Sequence, residues 1–304
     1  MAKVILHIGL PKTATTLLQQ FVFNKLNDKI DYLGVIQPRE EEQNNLFLEI
    51  LSLTTCSNTE YLQRLETVKS AVGNRLNMQR LPLLVSEEMF SVDSGEVTWQ
   101  GKLNRLGQLF EGHELTVLVT VRDPVSAVFS YYVEIYNTIK GECSNVVNFA
   151  CESNYSKIYN YPYLDYIINE AFVNAKINYI PFELLKNGRF VSEVIKSIGI
   201  ESNERFELQN TNAKEKSAHW VQSHRKNMLS YFTFLFKIPI VSYLIKEPLI
   251  KGVLMYPAKL LKKIKIPMSA VKINVPSEQE LHLLNSEYKE AIDFINAKVD
   301  STVE

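Results

Sequence analysis

Four short apolar runs, Lys3 to Ile8, Leu81 to Ser86, Leu115 to Val121 and Ile177 to Phe182, are separated by stretches with helical periodicity. Runs that are apolar at nearly every position, rather than at alternate ones, belong to strands covered on both faces. Such strands, joined through helices, form parallel sheets. The chain is therefore expected to be an α/β protein with a doubly wound parallel sheet flanked by helices. Two of the intervening helices are explicit. Thr15 to Leu26 places Leu17, Leu18, Phe21, Val22 and Leu26 on one face, and Pro124 to Ile139 does the same with Val125, Val128, Phe129, Tyr132 and Ile135. In sheets of this kind ligands sit beyond the carboxyl ends of the strands, so the residues after each run are the ones to read for chemistry.

With 304 residues, 46% of them hydrophobic, the chain can bury a large core, and it reads as a core of residues 1–225 followed by a helical, basic and apolar extension over 226–304. Lys and Arg total 33 against 34 acids, which excludes a nucleic-acid binder that works by bulk charge, so any anion site must be local. Cys56, Cys143 and Cys151 have neither disulfide nor metal-ligand spacing, and a reducing compartment fits them best. The N-terminal apolar run is too short for a signal-peptide core, so a cytoplasmic location is expected.

The first run leads into Gly9-Leu10-Pro11-Lys12-Thr13-Ala14-Thr15-Thr16, where a helix begins. A strand, a short loop with one lysine and a helix opening on hydroxyl residues offer unpaired backbone N–H groups, a positive dipole end and a cation to a phosphate or sulfate. The loop is not a nucleoside-triphosphate motif, because positions 14 to 16 are Ala14, Thr15 and Thr16 where Gly-Lys-[Ser/Thr] is needed. Read alone, the loop also fits an ordinary strand-to-helix turn with a surface lysine and a Thr cap. After the third run, Arg122-Asp123-Pro124 opens the next helix, with Asp123 suited to the N-cap and Pro124 to the first turn. That start fixes Arg122 at the mouth of the sheet. Ser126 and Ser130 share one helical face, so Arg122 and Ser130 can serve a terminal phosphate together.

The two motifs together resemble the sulfotransferases that use 3'-phosphoadenosine 5'-phosphosulfate (PAPS). Their 5'-phosphosulfate loop reads Pro-Lys-[Ser/Thr]-Gly-Thr-[Thr/Ser], and their 3'-phosphate motif has Arg-Asp-Pro, a Ser eight residues after the Arg and an aromatic two further on, here Arg122, Ser130 and Tyr132. The resemblance implies a P-loop-like fold and PAPS as co-substrate. It also implies that the loop from Gly9 through Pro11, Lys12, Thr13, Ala14, Thr15 and Thr16 holds the phosphosulfate, while Arg122 and Ser130 hold the 3'-phosphate. Ala14 stands in place of the usual Gly, an exchange suited to a residue with negative φ, and Ala127 stands where many members carry a second Arg. Tyr163 and Phe182-Glu183-Leu184 resemble the carbohydrate-sulfating branch, which makes a glycan the expected acceptor, and a lipid-linked glycan if the C-terminal stretch meets a membrane.

Sulfuryl transfer needs an in-line acceptor, a group to take its proton and positive charge on the leaving oxygen, and by that logic no metal is required. Lys12 supplies the charge. The second apolar run ends in Glu87-Glu88, and Glu87 is the expected base, with Glu88 and the Glu40 to Glu42 cluster as alternatives. His7 reads as a packed, hydrogen-bonded residue. Lys214 and Lys216, in the polar loop Asn210 to Ser217, could add to the 3'-phosphate site or be solvated. Met228 to Pro267 mixes aromatic, aliphatic and basic residues, with Pro239, Pro248 and Pro257 breaking it. It fits a peripheral surface against anionic lipid or core-covering helices with snorkelling lysines. Two rival functions remain at this level: a P-loop kinase using Glu87 and Glu88 for magnesium, and a membrane-peripheral nucleotide-binding protein without catalysis.

Overall fold

The computed structural model describes residues 3–36, 43–143, 145–201, 206, 219–222, 225–227, 265–267 and 271–301. Five parallel strands, β1 (Lys3–Gly9), β2 (Asp31–Gly34), β3 (Leu83–Glu87), β4 (Glu114–Val121) and β5 (Lys176–Pro181), form one sheet in the order β2-β3-β1-β4-β5. Four of them are the apolar runs. The fifth, β2, lies at the sheet edge, held by its parallel register with β3 and by a two-pronged ion pair in which Arg75 donates to Asp31 at 2.6 and 2.7 Å. The described helices are α1 (Thr15–Phe21), α2 (Asn45–Thr55), α3 (Asn58–Gln79), α4 (Trp99–Leu109), α5 (Pro124–Ile139), α6 (Val146–Glu152), α7 (Tyr161–Ala171), α8 (Phe190–Ser197), α9 (Glu278–Glu287) and α10 (Lys289–Ser301). The helix expected over Thr15 to Leu26 ends at Phe21 and continues as a 3₁₀ turn over Phe23–Lys25.

Burial explains the arrangement. Ile5, Leu84, Leu118 and Ile180 pack with Leu18, Val22 and Phe23 and with Phe190, Val194 and Ile198 in one apolar cluster. The intervening residues Val4, Leu6, Val85, Val117 and Val119 are also fully buried, so both faces are covered. Each such side chain contributes about 1.5–3 kcal/mol relative to exposure. Arg105 on α4 is buried as well, and it is tolerated because its guanidinium caps the end of α2, donating to the carbonyls of Leu53, Thr54 and Cys56.

The chain divides into two compact units, residues 1–213 with 276–304, and residues 214–275. In the first, the terminal helices return to the sheet: Phe294 of α10 meets the rings of Tyr161 and Tyr179 at 6.4 and 5.1 Å, and Tyr288 donates to the Ala150 carbonyl at 3.4 Å. The second contains two short antiparallel pairs, β6 (His219–Gln222) with β9 (Val271–Asn274) and β7 (Arg225–Asn227) with β8 (Lys265–Pro267). No described helix is long and apolar enough to cross a membrane.

The contact between α4 and α7 depends on Gly107. A methyl there would overlap the Ala171 carbonyl oxygen, a backbone atom that cannot turn aside. Alanine is the better helix former by about 1 kcal/mol, but overpacking against backbone costs roughly 1–3 kcal/mol or more, so the clash prevails. Gly107→Ala is expected to lower the thermal midpoint by several degrees; an unchanged or raised midpoint would show that the helices can separate freely.

Candidate functional site

The chain leaves β1 to build β2 and β3 on one side and then crosses to build β4 and β5 on the other, so the strand order reverses at β1. The crevice at such a switch is where open α/β sheets bind ligands. The loop from Leu10 to Ala14 stands at that point, between Glu87 of β3, which pairs in register with Ile8, and Thr120 of β4, which pairs with Gly9.

The loop has an alternating backbone. Lys12 and Ala14 are left-handed, with φ of 68° and 72°, and Thr13 between them is not. The expectation that Ala14 replaces glycine by keeping a negative φ is therefore corrected. Alternating hands turn successive N–H groups to one side and make an anion-binding nest, and that geometry outweighs the alanine's preference. The left-handed well costs a residue with a Cβ about 1–2 kcal/mol. Ala14→Gly is accordingly expected to raise stability by about 1 kcal/mol, seen as a thermal midpoint roughly 2–4 °C higher; a lower midpoint would contradict it.

The loop carbonyls face the protein. The Leu10 carbonyl accepts from the Thr13 hydroxyl at 2.8 Å, the Thr13 N–H at 3.4 Å and the Thr15 hydroxyl at 3.3 Å. The Pro11 carbonyl accepts from Tyr159 at 2.9 Å, and the Lys12 carbonyl from Arg122 at 3.3 Å. The backbone N–H groups of Lys12, Ala14, Thr15 and Thr16 bond to no described residue. This polarity is what a phosphate or sulfate requires: acceptors tied inward and donors left to the cleft. Thr13 and Thr15 act as fasteners of the loop. Since the Thr13 hydroxyl gives its proton to Leu10, its 2.8 Å contact with Thr120 is one it accepts, and that bond pins the loop to β4. Gly9 is needed for close approach, because a Cβ there would run into the Thr15 side chain. The Thr16 side chain is exposed.

Arg122 lies beside this loop. Asp123 caps α5 by accepting from the Ser126 N–H at 2.8 Å, with Pro124 in the first turn. Tyr161 clamps the Arg122 backbone, donating to its carbonyl at 2.6 Å and accepting from its N–H at 3.3 Å, while Glu183 accepts from the Asp123 N–H at 2.8 Å. The guanidinium lies over the Phe182 ring, 5.1 Å from its centroid, and among the described residues no carboxylate is in ion-pair range of it. Ser130 is half-buried, and its hydroxyl makes no hydrogen bond to a described residue. Glu134, one turn beyond Ser130 on the same helix face, forms a 2.8 Å ion pair with Lys12. That contact shows which way the face points: the Ser130 stripe borders the Lys12 loop. The two motifs singled out in the sequence thus meet.

The remaining expected residues lie at the end of β3. Glu87 is fully buried, and its Oε1 accepts from the Met89 N–H at 2.9 Å. Glu88 is half-buried. Its charge is felt at Tyr131 and at Tyr159, the residue bonded to the Pro11 carbonyl, and both phenols are pushed upward, first of all by burial. Ser91 binds the turn to the loop, its hydroxyl standing 2.9 Å from the carbonyl oxygens of both Gly9 and Glu88, between which its one proton is shared. His7 is packed, as expected: its Nδ1 is 2.8 Å from the Ser86 hydroxyl and its ring meets Phe23 edge-on.

No protein-family model matches the chain, and no curated protein matches it significantly. Among solved structures, it is similar to a sulfotransferase from Alicyclobacillus acidocaldarius, with 13% identity over 81% of this chain and 97% of that one and a TM-score of 0.40. It is also similar to a structure from the PezAT chromosomal toxin-antitoxin system of Streptococcus pneumoniae, with 14% identity over 59% and 68% of the two chains and a TM-score of 0.26. At this distance function has to be argued from the site itself.

Several residues that build the site carry no sequence signal. Tyr159 and Tyr161 stand in a tyrosine-rich stretch far along the chain, are fully buried, and donate to the carbonyls of Pro11 and Arg122 in the two motifs. Lys102 is fully buried too, donating to Met89, Val92 and Ser94 in the turn after Glu87, and burial pushes its ammonium down to about 8. Lys214, Lys216, Glu40 to Glu42 and the basic apolar stretch from Met228 to Ile264 lie outside the described residues.

Proposed function

We propose that this chain is a sulfotransferase that moves a sulfuryl group from PAPS to a hydroxyl or amine of an acceptor, with glycans and glycolipids as the first candidates. The observation that carries the reading is the juxtaposition of the two motifs: a loop whose N–H groups at Lys12, Ala14, Thr15 and Thr16 bond to no described residue, and Arg122 bonded to the carbonyl of Lys12 in that same loop. A nucleotide with a charged 5' group and a separate 3'-phosphate matches both.

In this reading Lys12 and the loop N–H groups stabilise charge on the bridging oxygen as the sulfur–oxygen bond breaks. Arg122 and Ser130 hold the 3'-phosphate by a guanidinium fork and one hydroxyl. The acceptor oxygen forms the new bond to sulfur while its proton passes to a carboxylate at the end of β3. We assign that role to Glu88 in preference to Glu87, because Glu87 is fully buried and one of its oxygens already caps Met89. Transfer of ³⁵S from labelled PAPS to a panel of glycans tests this directly. Glu88→Gln is expected to reduce the rate roughly 10²- to 10⁴-fold, the usual contribution of a general base, with binding of the product nucleotide retained. Full activity in Glu88→Gln with loss in Glu87→Gln would return the base to Glu87.

A further inference from the structure

Lys12 is the one side-chain cation that the nucleotide-binding loop itself contributes, and it is paired with Glu134 at 2.8 Å. Both side chains are partly open to solvent, at 31% and 47%. The pair is held from two sides. The Lys12 carbonyl is fixed by Arg122, and Glu134 stands on the α5 face that carries Ser126 and Ser130. A carboxylate placed against the cation of an anion site opposes binding, so its presence there calls for a physical reason.

The charge of the ligand supplies one. A sulfuryl ester carries a single negative charge, whereas a terminal phosphoryl group at the same position carries about −1.5 to −2 near pH 7. Glu134 offsets part of the attraction that Lys12 exerts, so Lys12 and the backbone N–H dipoles share the task of holding the group. Together they suffice for a monoanion, while a dianion meets Glu134 with its additional charge. We propose that Glu134 is a specificity-determining residue, a charge filter that makes this loop prefer a sulfuryl-bearing to a phosphoryl-bearing nucleotide. The inference rests on the sulfotransferase reading above and names a selectivity which that reading does not require.

Calorimetric titration needs no acceptor. The probes are PAPS and its phosphoryl counterpart, adenosine 3'-phosphate 5'-diphosphate, without metal, against the wild type, Glu134→Gln and Glu66→Gln. Glu66, on the exposed side of α3, controls for net charge. The wild type is expected to prefer PAPS by at least about tenfold, which corresponds to about 1.4 kcal/mol. Glu134→Gln is expected to shrink that ratio about tenfold, chiefly by improving the phosphoryl ligand, and Glu66→Gln to leave it alone. A ratio unchanged in Glu134→Gln, with both affinities moving together, would overturn the filter and leave the donor assignment standing. Failure of the wild type to bind either nucleotide would overturn the donor assignment and the filter with it.

Discussion

Arg122→Ala is expected to weaken binding of 3'-phosphoadenosine 5'-phosphate about 100-fold while changing the affinity for 5'-AMP by less than about threefold. The estimate follows from removing a charge-assisted fork to phosphate, about 1.5–3 kcal/mol, with each 1.4 kcal/mol worth a factor of ten. The selectivity is the informative part. The guanidinium also donates to the Lys12 carbonyl, so its loss disturbs the loop to some degree, and that disturbance is felt by both nucleotides. Only a direct contact with the 3'-phosphate separates them. Equal losses would mean that Arg122 merely braces the loop, and no loss would place the 3'-phosphate elsewhere.

The second large effect is on stability in mild acid. His7 is fully buried, and burial lowers it from 6.5 to about 3. A histidine depressed in the folded state remains neutral there while the unfolded chain takes up its proton, so stability falls as pH falls from about 6.5 towards 3. Above 6.5 both states are neutral and the effect vanishes; below 3 both are charged and the slope ends. Each pH unit in that window costs roughly 1.4 kcal/mol, which amounts to about 5 kcal/mol across it, comparable with the whole stability of many domains. Urea unfolding of the wild type and His7→Asn at pH 7.0 and 4.5 checks this. The wild type is expected to lose roughly 2–3 kcal/mol more than the variant. Parallel losses would show that His7 charges without cost, against its burial beside Ser86 and Phe23.

What could be read from the chain and what could not divide along physical lines. β1, β3, β4 and β5 were legible because strands covered on both faces are apolar at nearly every position. β2 was not, since Asp31–Gly34 buries only its last two residues and takes its place from β3 and Arg75. Lys12 and Arg122 were legible because an anion loop and a capped helix start are local patterns. Their supports were not: Tyr159 reaches Pro11 across 148 residues and Arg122 reaches Lys12 across 110, and nothing near any of these positions announces the contact. The left-handed Ala14 runs against the residue's own preference and is imposed by the loop as a whole. Glu87 and Glu88 were visible as a pair, but only burial separates a carboxylate that caps a turn from its half-exposed neighbour.

The most direct test of the central claim is calorimetric titration of the wild-type protein with 3'-phosphoadenosine 5'-phosphate in the absence of metal, alongside 5'-AMP and ATP with magnesium. The two proposed anion sites, joined through one loop, are expected to bind the bisphosphate at least about 100-fold more tightly than 5'-AMP, by the same charge-assisted contacts to the 3'-phosphate. A preference for ATP with magnesium, or no distinction between the bisphosphate and 5'-AMP, would contradict the account.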